Sequence, residues 1–142
     1  MRNHRMIVFG MLVALLGVAG CATPANMVET KDQGTSHIYH ISPGQAWKIT
    51  KTVFHWEAFD VIEEHRRNGY MVGRNGNEWA PWTSLTIAWV DRIDRKHTKV
   101  TVVTKRHVGV KSGTSETTFH KRFAQAMRMV KKGKMLPPVP PS

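Results

Sequence analysis

Few residues in this sequence have the type and spacing that chemistry requires. Cys21 is the single cysteine, so neither a disulfide within the chain nor a multi-cysteine metal site can form. No Gly-x-Ser-x-Gly motif is present, which removes the strained nucleophile turn of many hydrolases. Glu63 and Glu64 are adjacent in a predicted strand, where neighbouring side chains point to opposite faces. The sequence therefore predicts a protein that is not an enzyme.

The eight histidines raise the question of a metal site. His37 and His40 are three residues apart in a predicted strand, so their side chains lie on opposite faces. A metal would be better served by a helical pair at positions i and i+4. We therefore predict histidines scattered over the surface, no bound metal and no dissociable cofactor.

The first 21 residues have the pattern of an export signal. Arg2 and Arg5 give a positive start, residues 6–18 are almost entirely apolar, and small residues lead to Cys21. This apolar run is shorter than the roughly 20 residues that span a bilayer. The ending Val18-Ala19-Gly20-Cys21 resembles the lipobox of bacterial lipoproteins. That resemblance implies cleavage before Cys21, palmitate-type acyl chains on its lipidated thiol, and a membrane-anchored mature chain.

The same resemblance divides the chain and locates it. It implies a signal peptide over residues 1–20, and the polar residues 21–35 then form the lipidated cysteine and a flexible tether. Ala22 follows the cysteine, where an aspartate would imply retention at the inner membrane. We therefore expect an anchor in the outer membrane with the domain facing the periplasm; the inner membrane is the alternative.

Residues 36–133 are predicted to form one α+β domain. Ser42-Pro43-Gly44-Gln45 is typical of a capped helix start, and Asn68-Gly69 is the strongest short signal for a hairpin turn. Leu85 and Ile87 alternate with polar or small residues in a strand and are expected to contribute, together with both helix faces, to the core. The element order β-α-β-β-β-β-α favours a two-layer sandwich, with two helices on one face of a mostly antiparallel sheet of four to five strands.

In the second helix, Phe119 and Phe123 are expected on the apolar stripe and His120 on the polar side, and Gly133 fits the position just after the helix end. Residues 134–142 are predicted to be an extended, unattached proline-rich tail, and the alternative is a polyproline ligand.

The domain also resembles a known group of lipoproteins in pattern. The helix that follows Ser42-Pro43-Gly44-Gln45-Ala46-Trp47, and the hairpin over residues 59–73, are similar to small proteobacterial envelope lipoprotein domains. Their layout resembles the helix-grip domains of the C lipoprotein of the outer-membrane β-barrel assembly machinery. The resemblance implies an accessory role in the envelope, but this chain has one such domain where that subunit has two, so the specific role does not carry over.

Two sets of residues are candidates for binding. Trp79, Pro81 and Trp82 lie in one turn-rich loop, and tryptophan is enriched at interface hot spots; the alternative is that this loop closes the core. Four basic residues of the second helix are candidates for an anion site: Lys121, Arg122, Arg128 and Lys131. The alternative is that they form a solvated helix face.

Charge separates the two halves of the sequence. Residues 92–142 hold 13 lysines and arginines against two acidic residues, within a formal net charge of +11 for the chain. A basic half on an exported protein favours anionic lipid, lipopolysaccharide or acidic glycan over nucleic acid. We therefore predict a non-catalytic envelope lipoprotein that acts as an accessory or assembly factor by docking on another envelope protein. The alternative is a module that binds anionic cell-wall glycan or lipopolysaccharide.

Overall fold

The computed structural model describes residue 26 and residues 28–75, 84–106 and 116–141. Within these ranges five strands form one antiparallel sheet and two helices cover it, which confirms the predicted α+β sandwich. The elements are β1 (Thr35–Tyr39), α1 (Pro43–Trp56), β2 (Val61–His65), β3 (Tyr70–Asn75), β4 (Ser84–Arg92), β5 (Thr98–Arg106) and α2 (Glu116–Lys131). The strand order is β1-β5-β4-β3-β2, so the first strand of the chain lies at one edge of the sheet and pairs with the last.

Helix α1 begins at the predicted capping residues. The Ser42 side chain accepts a hydrogen bond from the backbone N–H of Gln45 and donates one to the Gln45 side-chain oxygen at 3.0 Å. Pro43 takes the first helical position, where no intrahelical partner exists for an N–H. After Trp56, Ala58 adopts a left-handed backbone with φ 57° and turns the chain towards β2.

The hairpin of β2 and β3 forms, but its turn differs from the prediction. A short 3-10 turn over Arg66–Asn68 leads to Gly69, which has φ 72°. Asn68 does not have a positive φ, so the hairpin does not turn through the two-residue Asn68-Gly69 turn that the sequence indicated. The wider loop leaves His65 opposite Tyr70 at the start of the ladder.

Aromatic rings fill the space between the helices and the sheet. Phe54, Phe119 and Phe123 are fully buried, and Phe54 meets Phe59 and Phe119 edge-on at centroid distances of 5.1 and 5.6 Å. Such edge-to-face contacts add to the stability that area burial gives. Gly73 of β3 makes room for these rings, because a Cβ there would lie 2.9 Å from the ring of Phe59.

The other face of the sheet carries a second apolar cluster. Leu85, Ile87 and Trp89 are buried in it, whereas Ala88 and Val90 join the core under the helices. Leu85 and Ile87 are therefore buried, as predicted, but on the face of the sheet opposite the helices. The larger residues of β4 point away from the helices and the smaller ones point towards them.

The segment before β1 packs on this second face. Val28 is half-buried against the apolar cluster, and the Lys31 ammonium forms a 2.7 Å ion pair with Asp91 of β4. Residues 28–35 are therefore attached to the sheet, although the sequence assigned them to the tether. Residues 21–25 and 27 of that tether lie outside the described residues.

The proline-rich tail lies across the helices, so the prediction of an unattached end is wrong. Gly133 has φ 69° just after α2 and turns the chain, as its position predicted. Leu136 packs against the core. The indole N–H of Trp56 donates to the Pro137 carbonyl at 2.8 Å, and the Gln125 amide donates to the Pro141 carbonyl at 3.2 Å.

Candidate functional site

Helix α2 carries the predicted cationic residues on the side that faces away from the sheet. Its apolar stripe consists of Phe119, Phe123 and Ala126, which are buried in the core between the helices and the sheet. Three of the four candidate cations are exposed, together with a neighbouring lysine just after the helix. We define the α2 basic surface as these four residues: Lys121, Arg128, Lys131 and Lys132.

Arg122, the fourth candidate, has a different role. Its Nε lies 2.7 Å from Oε1 of Glu57, which directly follows α1, and the Glu57 side chain is only 11% exposed. The ion pair joins the two helices at a half-buried position. Arg122 is therefore engaged within the fold and is not placed with the exposed cations.

The two acidic residues of the basic half are both engaged elsewhere. Glu116 accepts hydrogen bonds from the backbone N–H groups of Thr35 and Thr104, each at 3.1 Å. Asp94 accepts bonds from the turn before β5 and from the ring of His97. Backbone N–H donation to Asp94 from Lys96 is the largest cause of its lowered pKa. Within the described ranges, no ion pair joins a carboxylate to the α2 basic surface.

A buried polar network ties the edge strand β1 to α2. His120 is 4% exposed; its Nδ1 lies 2.7 Å from the Tyr39 hydroxyl and its Nε2 lies 2.9 Å from the Thr35 carbonyl oxygen. A carbonyl can only accept, so Nε2 carries the proton and Nδ1 accepts from Tyr39. Both ring nitrogens are therefore occupied by structural hydrogen bonds.

Burial sets the protonation of this network. Desolvation is the largest cause of the lowered pKa of His120, and the electrostatic interaction with the neighbouring His37 acts in the same direction; the Thr35 carbonyl and Glu116 oppose the shift. Burial likewise raises the pKa of Tyr39. His120 is thus held as the neutral imidazole, which serves to orient β1 against the helix.

The histidines pair with different neighbours. His37 stacks on His120 with a ring distance of 4.2 Å, whereas His40 stacks on His97 at 4.8 Å. His37, in β1, and His40, just after it, thus do not converge on one point. Across the part of the chain that is described, no group of three or more His, Cys, Asp or Glu side chains is placed to hold a metal ion.

The adjacent carboxylates diverge, as the strand pattern predicted. Glu64 faces α1, where it accepts a hydrogen bond from the Trp47 indole at 2.6 Å and pairs with Lys51. The hydrogen bond from Lys51 is the largest cause of its lowered pKa, followed by that from Trp47. Glu63 instead pairs with Arg74 at 3.1 Å. The two carboxylates cannot act on one substrate.

The remaining candidate residues lie outside the described ranges. Cys21 is one of them, and the loop with Trp79, Pro81 and Trp82 is the other; both stay predictions from the sequence. The other three tryptophans are buried: Trp47, Trp56 and Trp89.

Sequence reasoning missed the burial of His120, which it placed on the polar side of the second helix. One signal was available: Glu116 and His120 are spaced i and i+4, so they share one face at the border of the apolar stripe. Their partners on β1 are 81 and 85 residues away, respectively. No local pattern could have supplied that contact.

Comparison with protein-family models finds no match for this chain, and no curated protein is significantly similar to it. Among the described helices, none has the length and the apolar character needed to cross a membrane.

Proposed function

We propose that this chain is a non-catalytic lipoprotein of the cell envelope. A lipid on Cys21 holds it in the outer membrane, and the domain works in the periplasm as an accessory factor that acts by binding. The support for the anchor is the sequence Val18-Ala19-Gly20-Cys21 behind an apolar segment. Among the described residues, the buried titratable groups Tyr39 and His120 are engaged in hydrogen bonds that hold β1 to α2, which favours a role other than catalysis.

The ligand that the described surface favours is an anionic component of the envelope, such as lipopolysaccharide phosphate or acidic glycan. The observation that carries this is the α2 basic surface. Its cations are exposed on α2 and just after it, and the two acidic residues of the basic half, Glu116 and Asp94, accept hydrogen bonds from other groups. An exposed group of like charges without counter-charges attracts polyanions and anionic surfaces. The anchor would keep that surface close to such ligands.

Salt dependence tests this ligand class. The chain is mixed with immobilised lipopolysaccharide in low salt and in physiological salt, and bound protein is measured. Screening shortens the reach of exposed charges to about 8 Å at 0.15 M ionic strength, so retention should fall steeply as salt rises. Retention that is equal in low and high salt would contradict an electrostatic ligand.

Docking on another envelope protein is the second candidate. The observation that favours it is that the two helices already hold an extended segment, the chain's own tail, through Trp56 and Gln125. The loop with Trp79, Pro81 and Trp82 is the further candidate from the sequence. Trp82→Ala tests that loop: a recognition role predicts an unchanged melting temperature, whereas loss of a buried indole costs about 3–5 kcal/mol.

A further inference from the structure

The tail contact has the construction of a ligand site. Trp56 ends α1 and Gln125 lies in the middle of α2, so the two donors come from different helices and face the same segment. In the tail, Leu136 packs against the core. The Pro137 carbonyl accepts a hydrogen bond from Trp56, and the Pro141 carbonyl accepts one from Gln125. We call this the tail groove, defined by Trp56 and Gln125.

The chemistry of the contact is that of proline-rich recognition. Proline has no N–H, so a run of prolines forms no hydrogen-bond ladder of its own, and its carbonyls accept from water or from donors elsewhere in the fold. Proteins that bind proline-rich peptides do so in aromatic-lined grooves, and the stiff peptide loses little conformational entropy on binding. The tail groove supplies two donors, the Trp56 indole N–H and the Gln125 amide. The bound tail supplies the apolar anchor, Leu136.

The described part of the tail is only partly buried. Met135 is 90% exposed and Val139 is 66% exposed, so only part of the segment contacts the rest of the domain. Gly133, at φ 69°, gives the tail a turn from which it can leave α2 without disturbing the helix. Segments that are held by few buried contacts open locally before the whole fold does.

We infer that the tail groove is a binding site for a proline-rich segment of another envelope protein, and that the chain's own tail occupies it until that partner displaces it. This inference rests on the second candidate function, docking on a protein, and names the chemistry of the partner segment. The partner is expected to carry an apolar residue followed by prolines, because Leu136-Pro137-Pro138 shows what the groove accepts.

A labelled peptide with the sequence of residues 134–142 tests the inference by fluorescence anisotropy. The receptor is the full chain with Leu136→Asp, in which the tail has lost its apolar anchor. This variant should bind the peptide at least tenfold more tightly than the unaltered chain, because an attached tail competes at an effective concentration of about millimolar. Adding Trp56→Phe keeps the aromatic ring, removes the N–H donor and should weaken binding several-fold.

The matched control is the same peptide with every proline replaced by alanine, which should bind much more weakly. A second release variant, Pro137→Gly with Pro140→Gly, changes only tail residues and covers the case in which Leu136→Asp fails to fold. No anisotropy change with either folded variant at millimolar peptide would overturn the inference, as would equal binding of the alanine peptide. Chain dimers that exchange tails and ignore added peptide would also overturn it. Lipopolysaccharide retention of the same variants reports on the α2 basic surface separately.

Discussion

Arg122 of α2 and Glu57 at the end of α1 form a 2.7 Å ion pair that joins the two helices. Glu57 is the more buried partner, with 11% of its side chain exposed, while Arg122 is 30% exposed. The cation that sequence reasoning grouped with an anion site therefore neutralises a carboxylate within the fold. The remaining cations of α2 have exposed side chains, and they form a surface of their own.

Arg122→Met should destabilise the domain. Removing one partner of a buried ion pair leaves the other charge poorly solvated and costs up to about 3–5 kcal/mol; partial exposure of this pair reduces that to about 1–3 kcal/mol. Lys121→Met, one residue earlier and exposed, should change stability by less than about 0.5 kcal/mol. Urea unfolding of the two variants makes the comparison, and equal midpoints would show that the ion pair is dispensable.

His120 should make stability depend on pH. Its folded-state pKa lies below the ordinary value of 6.5 because of burial, so the unfolded chain binds more protons in acid. The stabilising contribution of the neutral ring is complete above about pH 6.5 and is lost as pH falls through the lower folded-state pKa. The groups that face the ring are His37, Tyr39 and Glu116.

Unfolding midpoints at pH 7 and pH 5 measure this dependence. The unaltered chain should lose stability on acidification, and His120→Gln should lose less, because glutamine does not titrate. His55→Gln, an exposed change on α1, is the matched control and should leave the difference between the two pH values as it is. A His120→Gln variant that keeps the full pH difference would show that another group causes it.

Gly73 should not tolerate a side chain. A Cβ at this position would lie 2.9–3.1 Å from ring carbons of Phe59 and Phe54, and over-packing a core costs typically about 1–3 kcal/mol. Gly44→Ala is the control, because a Cβ there meets nothing within 4 Å, and alanine in a helix is stabilising or neutral. Thermal melts of both variants check the prediction, which fails if Gly73→Ala melts no lower than Gly44→Ala.

The sequence predicted the fold from local signals and missed contacts that depend on the whole chain. The Ser42 cap, the α2 stripe of Phe119 and Phe123, and the stop at Gly133 were confirmed because each is set by neighbours in sequence. Alternation in β4 showed that two faces differ but not which one meets the helices. Ala88 is small enough to lie on the face that the helices cover. Which face of β4 the helices cover depends on how closely they approach the sheet.

The candidate site was predicted only in part, for the same physical reason. Exposure of Lys121 and Arg128 follows from their position opposite the apolar stripe of α2. The engagement of Arg122 depends on Glu57, 65 positions earlier, and the attachment of Pro137 depends on Trp56, 81 positions earlier. Side chains brought together by tertiary packing leave no spacing pattern in a single sequence.

The anchor has a direct chemical test at Cys21. Cells that express the chain are fed a fatty-acid analogue, and label should appear on the protein and disappear in Cys21→Ser. Two or three acyl chains would make attachment stable, because one chain alone binds a membrane only marginally. An unlabelled protein that fractionates without membranes would contradict the proposal of a lipoprotein.

The most direct measurement of the central claim is the binding of the chain to anionic lipopolysaccharide vesicles before and after charge reversal on α2. Lys121→Glu with Arg128→Glu should abolish binding, at about 1 kcal/mol for each well-placed charge, and leave the melting temperature almost unchanged because both residues are exposed. Lys48→Glu with Arg95→Glu is the matched control: it changes the net charge equally at exposed positions off α2 and should retain most of the binding. If the two double variants bind equally, the α2 basic surface is not the binding site.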